Sequence, residues 1–252
     1  MVQVTPTHRR DLLRAGAALT ATGALTTGCG TTGTATAAPP TVTPTSPSAS
    51  PRRLPFQVTH GPRTTAAVAL TFHGQGDPAL AEQLLGSAEQ HGAHLTVLAV
   101  GSWLDQYPAM ARRVLDGGHD LGNHTQRHVS VNAMAEADAR KEITDCAERL
   151  RRLTGSIGSW FRPSRAPTAS PLVARLAAEA GYPHVLSYDV DSLDYTRPGA
   201  PAITRKVLAE VTGGSVVSMH FGYPDTVAAL PAVLQELHRR GLRAVTTTEL
   251  LS

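Results

Sequence analysis

Short apolar runs alternate with segments of helical period along most of this chain, and that order leaves few folds open. Strand-like runs fall at residues 66–72, 93–100, 119–123, 160–162, 184–190, 215–220 and 243–247. Helical patterns lie between them, at residues 78–90, 103–115, 133–153, 170–180, 202–211 and 227–240. A strand followed by a helix, repeated, predicts a parallel sheet or barrel with its helices outside. Seven strands fall one short of a complete eightfold barrel, so the expected class is α/β, a distorted (β/α)7 barrel. No glycine-rich fingerprint follows the first strand, which argues against a dinucleotide-binding sheet. Residues 64–252 are enough for one sizeable core.

The residues before this domain have another character. Arg9-Arg10 precedes a short, weakly apolar run from Ala15 to Thr27, the pattern of a twin-arginine export signal. The run is too short and too rich in Thr and Gly to span a membrane. Leu25-Thr-Thr-Gly-Cys29 resembles a lipoprotein processing site, making Cys29 the lipidation candidate and residues 1–29 the export signal. Ala35-Thr-Ala37 offers the alternative of a cleaved, secreted form. Residues 30–63 are mostly Thr, Ala, Pro and Ser, and such a stretch buries too little surface to offset its ordering entropy. A disordered tether is expected there, with the protein outside the cytoplasm on a lipid anchor.

The basic excess belongs to this leader. Of 23 Lys and Arg, six precede Thr64, but only Asp11 of the 20 acids does. The domain itself holds 17 basic and 19 acidic residues and gives no reason to expect nucleic-acid binding. A monomer is expected. Cys146, the one cysteine of the domain, reads as a small buried apolar residue with no disulfide partner.

Polar residues gather where the strands end. His73 and Asp77 follow the first strand, His124 and His128 the third, and Arg162 ends the fourth. Asp189, Asp191 and Asp194 end the fifth, and His220 the sixth. In parallel α/β folds these ends share one face, and that face carries the chemistry. His124 and His128 stand four residues apart, which puts both rings on one side if the second lies on a first helical turn. Two neutral imidazoles with a third protein ligand suit a divalent metal, zinc foremost.

These residues resemble the polysaccharide deacetylase family, also called the NodB-homology domain or carbohydrate esterase family 4. Val68-Ala-Leu-Thr-Phe72 looks like the strand leading into its Thr-Phe-Asp-Asp-Gly-Pro motif. His124-Thr-Gln-Arg-His128 matches its His-Ser/Thr-x-x-His metal motif, and Phe161-Arg162-Pro163 the start of its Arg-x-Pro motif. Asp191-Ser-Leu-Asp194-Tyr195 resembles Asp-x-x-Asp-Trp, and Val216-Val-Ser-Met-His220 the terminal strand. The resemblance covers residues 64–252. It implies a NodB-type distorted barrel and metal-dependent removal of N- or O-acetyl groups from a cell-wall or extracellular glycan.

The first motif departs from the family pattern. Where the family has Asp-Asp-Gly-Pro, this chain reads His73-Gly74-Gln75-Gly76-Asp77-Pro78. The family's base thus aligns with His73, and its metal-binding carboxylate with Gly74. Asp77 is the expected replacement ligand, with His73 as base; the reverse, His73 as third ligand, stays open. His220 is the expected acid. Arg162 and Asp194 are expected to form an ion pair that tunes the base. Asp191 either caps a loop or holds His220. Tyr195 and Pro163 are candidates for the sugar groove, while Trp103 reads as core. Two rivals remain: a glycan- or wall-binding protein that keeps the fold but lacks a working base, and an amidohydrolase of small non-peptide substrates.

Overall fold

The structure is a computed structural model that describes residues 54–252. The expected export signal with Cys29, and the expected tether up to residue 53, lie outside the described residues. The elements in order are β1 (Gln57–Val58), β2 (Ala67–Gly74), α1 (Pro78–Gln90), β3 (Thr96–Ala99), α2 (Gly101–Gln106), α3 (Ala109–Asp116) and β4 (Asp120–Asn123). There follow α4 (Glu136–Thr154), α5 (Pro171–Glu179), β5 (Val185–Leu186), β6 (Val190–Asp191) and α6 (Ala200–Glu210). The chain closes with β7 (Val216–His220), α7 (Pro224–Arg239), β8 (Arg243–Val245) and α8 (Thr247–Leu251).

Every paired strand is parallel to its neighbour, and the main sheet runs β4-β3-β2-β7-β6, with β8 beside the start of β2. β2 is the centre. From Ala67 to Phe72 every residue is buried, as an apolar strand covered on both faces requires. Helices α1, α6 and α7 pack their apolar stripes over one side through Leu84, Leu85, Val207, Leu230 and Val233. The ring closes through the segment 185–191. β5 pairs with β1 at its start, and β6 pairs with β7 at its end. The expected fourth strand is reduced to Phe161, which bridges Asn123 on one side and Val185 on the other. A barrel closed by one bridging residue and a broken strand is strongly distorted.

Three boundaries differ from the sequence reading, each for a local reason. The helix expected over 103–115 is two helices, because Pro108 cannot continue α2. The expected strand at 184–190 breaks into β5 and β6. The folded unit also begins ahead of Thr64. Gln57 and Val58 pair with β5, and the Gly61 N–H donates to the Gly214 carbonyl at 2.7 Å. Arg63 binds the Asp189 carboxylate at 2.8 Å. Asp189 also accepts from Ser215 Oγ and the Val216 N–H, so its role is to lock the chain start onto β7. No helix among the described residues is long and apolar enough to cross a membrane.

Candidate active site

Register brings the site together. His73 of β2 lies opposite His220 of β7, and the two rings stand 4.2 Å apart. On the other flank, Gly74 pairs with Ala99 and Ala99 with Asn123, which carries the start of the His124 loop to the same edge. His73 and His124 have ring centroids 4.3 Å apart, and His124 and His128 4.9 Å. One nitrogen from each of His73, His124 and His128 lies within 4.8 Å of the other two.

The His124–His128 pair is held by a loop and not by a helical turn. Thr125 and His128 both adopt left-handed backbone, at φ 68° and 55°. Such conformations are costly for side chains with a Cβ and persist only when the surroundings enforce them. Here the enforcement is visible. Asn123 Oδ1 accepts the Thr125 N–H at 2.8 Å, while its amide donates to the Ile143 carbonyl and Tyr182 hydroxyl. Buried Glu142 of α4 takes the Arg127 N–H at 2.8 Å and its Nε at 2.6 Å. The first N–H groups of α2, on Gly101 and Ser102, donate to the carbonyls of Thr125 and Gln126.

The imidazoles are in the state a cation needs. His124 Nδ1 donates to the Arg162 carbonyl at 3.0 Å, which leaves Nε2 as the lone pair, and Nε2 is buried without a partner. His73 shows the same split: Nε2 is 3.3 Å from Ser218 Oγ, while Nδ1 is buried and unpartnered. Burial holds the pKa of both rings well below the usual histidine range, and neighbouring His124 and His128 respectively reinforce it. His128 is lowered to about 4, by burial first and then by Arg165. Three neutral rings with a nitrogen each within 4.8 Å of the others, orphaned in His73 and His124, fit a divalent metal, since no proton must leave before coordination.

Beside them stands a second assembly. His220 Nδ1 donates to Asp194 Oδ1 at 2.7 Å, and its backbone N–H to Oδ2 at 2.8 Å. Thr226 Oγ1 also donates to Oδ2, so the fully buried carboxylate is saturated. The expected Arg162–Asp194 ion pair is therefore absent. Arg162 is itself buried; it donates to the carbonyls of Leu186 and Ser187 at 3.0 Å each and lies over the Tyr188 ring. Burial lowers its pKa to about 10, and Nη1 has no partner. Of the two roles open for Asp191, the structure has the loop cap: Oδ1 accepts the Leu193 N–H at 3.0 Å.

Asp77 does not return to the histidines. It is exposed and caps α1, its Oδ1 accepting the Ala79 N–H at 2.9 Å ahead of Pro78. Gly76 packs closely on Gly222, so that a Cβ at Gly76 would come within 2.6 Å of the Gly222 Cα. Gly74 has no room either, since a Cβ there would meet Val97 at 2.9 Å. The cluster thus has no carboxylate. Tyr195 is exposed and packs edge-on to His220, at the rim of a cavity of about 420 Å³ that also meets His73 and His128. Pro163 is buried and does not line it. Trp103 is core, its Nε1 donating to the Gly76 carbonyl. Cys146 is buried, its thiol pushed up to about 12 by desolvation.

Sequence reasoning missed Glu142, Ser218, Thr226 and two arginines at the cleft mouth, Arg165 and Arg197. Glu142 left one signal. It sits on the apolar stripe of α4 between Ala139 and Cys146, where a charge needs a partner.

A parallel α/β ring with histidines and an Asp–His pair at its strand ends defines a class, and the comparisons agree. The profile of the polysaccharide deacetylase family matches residues 60–185, and this chain belongs to that family. It is 32% identical over 194 residues to a peptidoglycan-N-acetylglucosamine deacetylase of Bacillus cereus, covering 75% of this chain and 90% of that one. It is 32% identical over 190 residues to a chitooligosaccharide deacetylase of Sinorhizobium fredii, covering 69% and 87%. Among solved structures, a peptidoglycan N-acetylglucosamine deacetylase superposes with TM-score 0.73 at 28% identity, over 78% of this chain and 92% of that one. A pseudoenzyme of carbohydrate esterase family 4 from Bacillus anthracis gives 0.74 at 21% identity, over 81% and 70%, and shows the shared fold.

Proposed function

We propose that this protein is a metal-dependent hydrolase that removes acetyl groups from a cell-wall or extracellular glycan. The observation that carries the reading is the three neutral imidazoles packed against a His220–Asp194 pair in one cleft. His73, His124 and His128 hold the metal, with zinc the first choice for an all-nitrogen set. When bound, the ion polarises the acetyl carbonyl and makes water acidic enough to attack at neutral pH. Ser218 and the Arg162 carbonyl fix the orientation of the His73 and His124 rings.

The chain's own chemistry then falls to His220. Asp194 holds Nδ1–H, so Nε2 is the atom free to exchange a proton. Water oxygen bonds to the acetyl carbon as Nε2 takes the water proton. The C–N bond then breaks and Nε2 returns the proton to the leaving amine, releasing acetate. One imidazole serves as base and acid because no carboxylate lies in the metal cluster. Turnover of an N-acetylated chitooligosaccharide or peptidoglycan fragment tests this. His220→Ala is expected to cost two to four orders of magnitude, roughly, in rate, and an unchanged rate contradicts the role.

One observation favours a second reading. His73 stands at the base position, Gly74 offers no side chain, and Asp77 is spent on a helix cap. A protein with weakened catalysis that binds a wall glycan fits these facts. It is the conclusion if the metal-loaded chain shows no turnover above free metal on acetylated glycans or simple acetyl esters. We further propose, from Arg9-Arg10 and Cys29, export and a lipid anchor on the outer face of the membrane, with the domain monomeric.

A further inference from the structure

β7 is an apolar run except at Ser218 and His220, and Ser218 is only 1% exposed. A hydroxyl buried in such a strand costs stability unless it is bonded. Thr71, the register partner of Ser218 on β2, donates to the Val217 carbonyl at 2.7 Å. Buried Ser215 and Thr226 each donate to a carboxylate. Among the described residues Ser218 Oγ meets only His73 Nε2, at 3.3 Å. A hydroxyl carries one proton and two lone pairs. With His73 Nδ1 kept as the metal-binding lone pair, Nε2–H donates to Ser218, and the Ser218 proton has no acceptor among the described residues. In the other tautomer Ser218 donates and both its lone pairs stay idle. Either way the hydroxyl has bonding capacity to spare.

That capacity lies at the floor of the cleft. Ser218 stands two residues before His220 on β7, so both side chains leave the same face of the strand. Of the residues lining the cavity of about 420 Å³, Ser218 is the one that is fully buried, whereas Tyr195 and Arg165 at the rim are exposed. A sugar enters from the rim, and its N-acyl group is the part slender enough to reach inward. With the acyl carbonyl among the histidines, the acyl tail points away from the sugar, toward Ser218. Asp191 is the register partner of Ser218 on β6 and lines the same cavity. Its Oδ1 takes the Leu193 N–H, and Oδ2 takes no donor among the described residues. A methyl group gives neither side chain a bond. A hydroxyl next to the acyl carbon serves both, accepting from Ser218 and donating to Asp191.

We propose that the cleft takes the hydroxyacetyl amide of an amino sugar in preference to the plain acetyl amide, and that Ser218 is the residue that reads the acyl hydroxyl. The inference rests on the glycan deacetylase reading and refines the acyl group removed. The step remains a hydrolysis with no further reactant. Water oxygen joins the acyl carbon, the C–N bond breaks, and His220 Nε2 passes the water proton to the amine. The products are a 2-hydroxycarboxylate and a free amino sugar.

The test uses glucosamine tetrasaccharides that differ only in the acyl group: acetyl, propionyl or hydroxyacetyl. Propionyl and hydroxyacetyl have the same length and differ by a methyl against a hydroxyl. kcat/KM is measured for each on the full, zinc-loaded chain, and calorimetry gives their binding to the zinc-loaded His220→Ala chain. Hydroxyacetyl is expected to exceed propionyl about tenfold in both measurements. Ser218→Ala is expected to bring the two within about twofold. Because Ser218 also holds the His73 ring, this variant is expected to lose zinc affinity and absolute rate as well. The ratio of two substrates in one loaded sample cancels that loss. If hydroxyacetyl is no better than propionyl in wild type, this inference falls, and turnover of the acetyl ligand leaves the deacetylase reading standing. If the preference survives in Ser218→Ala, the assignment to Ser218 falls. If none of the ligands is bound or turned over, both readings fall.

Discussion

At His73 the chain gives up the carboxylate its family carries and replaces it with a third imidazole. The sequence showed the replacement but not its consequence, because two arrangements of His73 and Asp77 fit the same string. The structure separates them: Asp77 caps α1, and His73 stands with the other two rings. His124 and His128 were legible from their spacing, although the helical turn that would have joined them is a loop at positive φ. The pairing of Asp194 was not legible, since its three donors come from β7 and α7. His124→Ala or His128→Ala is expected to lower zinc affinity well over tenfold, since losing a group that merely orients a ligand ring already costs roughly that much; calorimetry that gives wild-type affinity removes the residue from the site. The same rings predict a pH dependence of the metal-free chain. Their folded pKa values lie below the unfolded one, so the unfolded state binds more protons as acid is added. Stability present above about pH 6.5 is lost as pH falls toward 4. Melting temperature measured across that window checks the sign, and a rise toward acid contradicts it.

Among elements, loops decide more than strands do. The strands and most helices were legible from period alone because β2, β3 and β7 are continuous buried apolar runs. What escaped were pieces whose pairing is tertiary: two-residue β1, the lone bridge at Phe161 and the break between β5 and β6. Two variants test the loops in opposite directions. Asp77→Ala removes a helix cap and is expected to cost about 0.5–2 kcal/mol of stability, with zinc affinity unchanged. An equal loss of zinc affinity would restore Asp77 as a ligand. Glu142→Gln weakens the clamp on the Arg127 N–H and is expected to lower zinc affinity several-fold without contacting the metal. Affinity equal to wild type would show that the 124–128 loop holds itself.

For the whole molecule, the fold is a loosely closed ring, and residues 57–63 help seal it through β1 and the Arg63–Asp189 pair. That seal lies where composition alone suggested a tether, because Thr and Pro outweigh a strand of only Gln57 and Val58 in any sequence window. The leader makes its own prediction: Cys29→Ala is expected to move the protein from the membrane fraction to the medium, and continued membrane partition contradicts lipidation. The proposed chemistry depends on the all-imidazole metal site, and X-ray absorption at the zinc edge of the loaded full chain reaches that site directly. Three imidazole nitrogens per zinc are expected in wild type and two in His73→Ala. Two imidazoles with a protein carboxylate in wild type, lost in Asp77→Ala and unchanged in His73→Ala, would contradict it.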